Sequence, residues 1–171
     1  MSAGEAPLGP GAVAGETPAV VRLLDDLRAA EAAGARVLEA WIAVCALDAL
    51  RGGLRAVAQR EAAHAELLEE RLRELGAPCT AAVSEPVLDA ALARYGSAAV
   101  SDEEKLVHFL ARHPDDSAVT GPIGDLVDAL DDDPETRELL RLVADGERAT
   151  LGWLRAYHAG LVARRAGPSA F

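Results

Sequence analysis

The sequence predicts an all-α protein, a four-helix bundle of two antiparallel pairs joined by a long crossover. Three observations lead to this fold class. Apolar residues recur in steps of three and four, alternating β-branched runs and hairpin turns are nearly missing, and the connections are short, long and short in turn. Hydrophobic residues make up 50% of the 171 residues, so the chain can bury a core within a single domain.

The first two helices are predicted to fold back on each other. Thr17-Pro18 offers an N-cap followed by proline at the first helical position. The second helix is expected to begin near Asp48, acting as its N-cap, and to end at Gly76. Because so few residues separate the two apolar stripes, the helices must be antiparallel.

The second half of the chain begins with a long connection, residues 77–100, which is predicted to contain a short helix. The next helix opens with a capping box, in which Ser101 is the cap and Glu104 follows three residues later. Pro114 is expected to interrupt this third long helix. A last helix is predicted to start at Asp133, directly before a proline.

Polar residues interrupt three of the apolar stripes. Glu31 lies on helix one, Glu61 and His64 on helix two, and Glu147 and Thr150 on the last helix. A spacing of three residues places each pair on one helix face. At about 1.5 Å of rise per residue, the three carboxylates reach a similar depth in the bundle. Because isolated buried carboxylates are costly, such a cluster needs protons, cationic partners or a metal.

With Glu31, the segment EAAH at 61–64 and the segment DGERAT at 145–150, the sequence resembles the ferritin-like superfamily, most closely its rubrerythrin-type members. The resemblance covers residues 18–165, and Glu-x-x-His on helix two is its most specific part. It implies two iron or manganese ions held by carboxylates and histidines from four helices. Carried over position by position, the implied metal ligands are Glu31 from helix one, Glu61 as bridging carboxylate, His64 as nitrogen ligand and Glu147 from the last helix.

The sequence departs from this pattern at two ligand positions. Thr150 occupies the place of the second histidine, and the third helix offers only His113, Asp115 and Asp116 at the matching depth. Two irons, a single iron, manganese and zinc therefore all stay open as metals. The implied activity is that of an oxidoreductase acting on dioxygen, peroxide or ferrous iron. Without a rubredoxin-like segment, it would need a separate redox partner protein.

Two other interpretations stay open. In the first, a metal-free hydrogen-bonded cluster is formed by Glu31, Glu61, His64 and Glu147. One carboxyl is then protonated or His64 is charged. The bundle would then be a structural or protein-interaction module with no cofactor. In the second, the alanine-lined interior holds a small apolar ligand.

Composition narrows the classes of partner. The net charge of −11 argues against nucleic acid and anionic membranes, and no apolar run approaches the roughly 20 residues of a membrane span. Residues 1–17 lack a signal-peptide pattern and are expected to be a flexible tail, like residues 166–171. Cys45 and Cys79 form no C-x-x-C motif, so a cytoplasmic protein is predicted. A homodimer is expected for this architecture.

Overall fold

The computed structural model describes residues 18–115, 121, 123–124, 127, 130, 132–165 and 167. The predicted tail at 1–17 and most of the one at 166–171 lie outside the described residues. Within them five helices have described bounds and no residue is in a strand, which confirms the all-α class. The helices are α1 (Ala19–Val44), α2 (Asp48–Glu74), α3 (Glu85–Tyr95), α4 (Asp102–Arg112) and α5 (Pro134–Arg165). None of these helices is long and apolar enough to cross a bilayer.

α1 and α2 form an antiparallel pair connected by residues 45–47. Trp41, near the end of α1, packs with Leu54 near the start of α2. Leu24, near the start of α1, packs instead with Leu68 towards the end of α2. The short connection therefore turns the chain back on itself, as predicted.

Two helix starts differ from the prediction by one residue. Pro18 occupies the cap position of α1, where its ψ of 143° is not helical, so Ala19 is the first helical residue. Asp48 is the first residue of α2 and not its cap. Its carboxylate pairs with Arg51 one turn later, whereas Leu47, in the cap position, makes no side-chain capping hydrogen bond.

The other predicted helix ends are confirmed. In the capping box of α4, the Glu104 amide donates to Ser101 Oγ at 3.2 Å and the Ser101 amide donates to Glu104 Oε2 at 2.9 Å. Asp133 caps α5 by accepting a hydrogen bond from the Thr136 amide at 3.0 Å. Gly76 ends α2 with a φ of 67°, a left-handed conformation that glycine adopts without strain.

α4 ends where the proline was predicted to interrupt the third long helix. Arg112 is its last residue, His113 is in the C-cap position and Pro114 follows. Residues 116–120 lie outside the described part, and the described residues among 121–127 are helical again.

Two hydrophobic clusters occupy the interior at different heights along the helices. The buried members of the Trp41 cluster include Leu38, Trp41, Leu50, Leu54, Tyr95, Leu106 and Leu154. The buried members of the Leu68 cluster include Leu24, Leu68, Leu72, Ile123, Val127, Leu140 and Val143. Along α1, α2 and α5, the residues between the two clusters include Glu31, Glu61, His64, Glu147 and Thr150, which we call the polar layer.

Buried Asp102 fastens the start of α4 to the turn between α1 and α2. One of its oxygens accepts a hydrogen bond from Trp41 Nε1 at 2.8 Å. The other accepts from the amides of Ala46 and Leu47, at 2.9 and 3.2 Å. One carboxylate thus accepts hydrogen bonds from the buried indole N–H and from two backbone amides of the turn.

Asp25 has the same role at the opposite end of α1. Its Oδ2 accepts hydrogen bonds from the amides of Thr80 and Ala81, at 2.7 and 2.6 Å. Its Oδ1 pairs with Arg28 at 2.6 Å. The long connection after α2 is therefore held against α1 by a buried carboxylate.

Candidate metal centre

Glu31, His64 and Glu147 converge from α1, α2 and α5 between the two hydrophobic clusters. One ligand atom of each residue lies within 4.8 Å of those of the other two. His64 Nδ1 is 3.4 Å from Glu31 Oε2. Glu31 and His64 are buried and Glu147 is half-buried. The structure thus brings together three of the four residues predicted as metal ligands.

These three side chains have unsatisfied polar atoms. Glu31 Oε2, His64 Nδ1 and Glu147 Oε1 are buried without a hydrogen-bond partner among the described residues. Such atoms are rare in folded proteins because their lost hydration is not replaced. An ion with bonds of about 2.1 Å separates its ligand atoms by about 3 to 4.3 Å, a range that includes the Glu31–His64 distance. Two carboxylates and one imidazole therefore fit a single transition-metal ion.

Glu61, the fourth predicted ligand, lies beside this group and is not a member of it. Its carboxylate fills the space next to Gly34, where a Cβ on residue 34 would overlap it. Burial, reinforced by the charges of Glu147 and Glu31, raises the pKa of Glu61 to about 9. Glu61 is therefore expected to be protonated at neutral pH when no ion is bound.

Glu147 is influenced in the same way but less strongly. Burial and the charge of Glu31 raise the pKa of Glu147 to about 7, against the opposing influence of Arg60 and His64. The carboxylates thus repel one another across the polar layer, and a cation among them would relieve this repulsion.

Arg60 already brings one positive charge to the layer, a feature that the sequence analysis missed. Its guanidinium donates to Thr150 Oγ1, and that hydroxyl donates to the Gly146 carbonyl oxygen at 3.2 Å. Arg60 precedes His64 by four residues, so helical spacing places both on one face of α2. This spacing was the signal in the sequence that could have revealed it.

Among the described residues, the position of a second ion lacks two of its implied ligands. Thr150 stands where the resemblance implies a second histidine, but its hydroxyl is engaged with Arg60. The adjacent guanidinium would also repel a divalent cation. Of the third-helix candidates, His113 lies 2.9 Å through its Nδ1 from the carbonyl oxygen of Phe109 and is not in the three-residue group. Asp116 lies outside the described residues.

Gly146 allows the side chains of His64 and Arg60 to approach the backbone of α5 closely. A Cβ at this position would come within 2.7 Å of His64 Cε1 and 3.2 Å of Arg60 Nε. A larger residue would therefore push the imidazole and the guanidinium away from Glu147 and Thr150. The positions of His64 and Arg60 therefore depend on glycine at residue 146.

No protein-family model, curated protein or solved structure matches this chain.

Proposed function

We propose that the protein is a ferritin-like metal-binding protein that holds one iron or manganese ion between α1, α2 and α5. Glu31 and Glu147 would provide carboxylate oxygens and His64 an imidazole nitrogen. The observation that carries the proposal is that each of these residues has a buried, unsatisfied polar atom and that the three meet at one point. Zinc is chemically compatible with the same ligands and is the competing metal.

The course of the chain supports a ferritin-like bundle. α1 and α5 run from the Leu68 cluster to the Trp41 cluster, and α2 runs in the opposite direction. As in α2, the chain after α3 proceeds from the Trp41 cluster, where Leu106 lies, to the Leu68 cluster, where Ile123 and Val127 lie. We interpret this as four helical columns in the order up, down, down, up, which is the order that one long crossover produces.

We further propose that the site is mononuclear and that the protein is an oxidoreductase acting on dioxygen or peroxide. A redox-active ion with free coordination positions would supply the electron-transfer chemistry. The chain would hold this ion through three side chains, while Arg60 and Thr150 block the neighbouring position. A separate redox partner and a homodimeric assembly remain part of the proposal.

A metal-free structural or interaction module is the second candidate, and Arg60 is the observation that favours it. Its charge lowers the pKa of Glu61 and of Glu147, although burial outweighs it in both. With Glu61 protonated and Arg60 beside it, the polar layer would carry much less net negative charge. Such a layer could persist without a metal.

Metal analysis of protein from cells grown with iron and manganese distinguishes the two candidates. We expect about one ion per chain in the unmodified protein and a large loss in the Glu31→Gln and His64→Gln variants. Glu39→Gln, an exposed position on α1, is the matched control and should retain the metal.

Two results would contradict the proposal. A metal content far below one ion per chain that the Glu31 and His64 substitutions leave unchanged would favour the metal-free module. A content near two ions per chain would show that Arg60 and Thr150 do not block the second position.

A further inference from the structure

A cavity of about 840 Å³ lies next to the polar layer. Its walls are mainly apolar and include Val37, Trp41, Leu54, Ala91, Phe109 and Trp153. Glu61 and Thr150 reach its lining from the polar layer. Its volume is typical of small-molecule sites, which range from about 300 to 1,000 Å³.

Two arginines give the cavity a positively charged part. Arg94 on α3 and Arg112 at the end of α4 are exposed and contribute to its lining. Within the described part of the chain, neither guanidinium forms an ion pair with a carboxylate at 4.0 Å or less. Besides hydrogen bonds from Ser101, the charge of Arg94 lowers the pKa of Glu104. Neither guanidinium is held by a direct ion pair, so both can turn towards a ligand.

The two arginines act on the same end of the cavity. The Tyr95 hydroxyl oxygen lies 3.0 Å from His108 Nδ1, and both residues line the cavity. Burial is the main influence on both side chains, raising the pKa of Tyr95 and lowering that of His108. Arg94 and Arg112 each lower both pKa values, so they oppose burial at Tyr95 and add to its influence at His108. Arg94 directly precedes Tyr95 on α3, and Arg112 follows His108 by one helical turn on α4, so both charges lie near this pair.

We propose that this cavity binds a small organic anion with an apolar body, of the class of medium-chain carboxylates, with its head group beside Arg94 and Arg112. In a chain of net charge −11, an anion is repelled unless basic groups compensate locally. The planar guanidinium forks match the geometry of a carboxylate. The indole rings of Trp41 and Trp153 would contact the apolar body.

This binding does not depend on the proposed metal. Glu31, His64 and Glu147 do not line the cavity, so an empty metal centre leaves its walls in place. The cavity can therefore be tested on chelator-treated protein, and its failure would leave the metal proposal untouched. Because Glu61 adjoins both regions, a bound anion would nevertheless lie close to the polar layer.

Titration of the full chain with octanoate, followed by tryptophan fluorescence, tests the proposal. Both tryptophans of the protein line the cavity, so a ligand there changes the emission. We expect saturable binding that is about tenfold weaker in the Arg94→Gln/Arg112→Gln variant, because charged hydrogen bonds are lost. Octanol, which has the same chain without the charge, should bind more weakly than octanoate.

Controls locate the site. Arg55→Gln, an exposed position on α2 outside the cavity lining, should bind octanoate normally. Ala91→Phe should narrow the cavity and reduce binding, provided that circular dichroism shows a folded protein. If that variant does not fold, the arginine variants decide the question.

The proposal is overturned by any of five results. Four are a lack of saturable octanoate binding, equal binding of octanol, unchanged binding in the double arginine variant, and retained binding in a folded Ala91→Phe protein. The fifth is tighter binding of octylamine than of octanoate, because the recognised head group would then be a cation.

Discussion

Arg60 supplies a positive charge to a group of side chains that are otherwise mostly acidic. Its terminal nitrogen donates to Thr150, whereas its Nε is buried without a hydrogen-bond partner among the described residues. The guanidinium is therefore only partly satisfied by hydrogen bonds. Its charge also lowers the pKa of Glu61 and of Glu147, although burial has the larger influence on both.

Replacing Arg60 by glutamine should affect the metal-free and the metal-bound protein in opposite ways. The free energy of unfolding of chelator-treated protein should fall by about 1–3 kcal/mol, because the buried carboxylates lose a cationic partner. The affinity for Mn²⁺ should rise, because less positive charge opposes the ion. Urea denaturation and Mn²⁺ titration measure the two quantities, with Arg55→Gln as control. A decrease in both quantities would show that Arg60 has a different role.

Asp102 is expected to be a sensitive position outside the polar layer. Asp102→Ala would leave the Trp41 indole and two backbone amides without their acceptor, so the free energy of unfolding should fall by about 2–4 kcal/mol. Asp89→Ala, at an exposed position of α3, should change it by less than about 0.5 kcal/mol. Equal denaturation midpoints for the two variants would refute this assignment.

Neighbouring glycines in α2 illustrate how one helix is fitted to another. A Cβ on Gly53 would overlap the indole ring of Trp153 on α5, whereas a Cβ on Gly52 would meet nothing within 4 Å. Both glycines are in the helix interior, where alanine is intrinsically better by about 0.5–1 kcal/mol. The close approach of α2 and α5 therefore depends on one of the two glycines.

Gly52→Ala and Gly53→Ala should consequently change stability in opposite directions. We expect Gly52→Ala to raise the free energy of unfolding by about 0.5–1 kcal/mol. Gly53→Ala should lower it by about 1–3 kcal/mol, because Trp153 must move out of its position. Thermal unfolding gives the order of stability of the unmodified protein and the two variants. Trp153 emission should change only in the Gly53 variant. A stabilised Gly53→Ala protein would mean that the helices can separate at little cost.

The helix ends were largely predictable because their signals are local. The Ser101–Glu104 capping box and the glycine at residue 76 specify their own backbone conformations. The errors at Pro18 and Asp48 arise because a cap residue and the first helical residue differ in one backbone dihedral angle, which the residue type alone does not specify. Asp48 is suited to either position, and in the structure its carboxylate pairs with Arg51.

The polar layer was predictable in depth but not in detail. A constant rise per residue brings Glu31, His64 and Glu147 to one height. Residues three apart on a helix still differ by about 60° in direction, so spacing did not decide whether Glu61 or His64 faces the centre. An alanine-lined interior for a small apolar ligand was one interpretation of the sequence, but the position of the cavity was not predictable. α3 contributes much of its wall, and the packing of α3 on α1 leaves no periodic signal.

The stability of the molecule as a whole should depend on Asp25 in acid. Burial alone would raise the pKa of Asp25, but hydrogen bonds from Ala81, Thr80 and Arg28 outweigh it and lower the pKa to about 2. The folded-state value lies below the ordinary value of 3.8. The stabilisation is therefore fully present above about pH 4 and is lost as the pH falls through about 2.

Asp25→Asn should reproduce this loss at neutral pH. At pH 7 its free energy of unfolding should be about 2 kcal/mol below that of the unmodified protein, and the difference should shrink below about pH 2. Urea denaturation between about pH 7 and 1.5 measures both curves. Asp26→Asn, at the neighbouring exposed position, is the control. A difference that is independent of pH would mean that the carboxylate charge contributes nothing.

The polar layer has a further effect on the assembled helices, because it lies between apolar clusters on α1, α2 and α5. A helix displaced by one turn, about 5.4 Å, would carry Glu31 or Glu147 among leucines and remove it from its neighbours. Leucines throughout would permit such slippage, since one apolar level resembles the next. The acidic residues therefore fix the axial alignment of the helices, and this constraint does not require a bound ion.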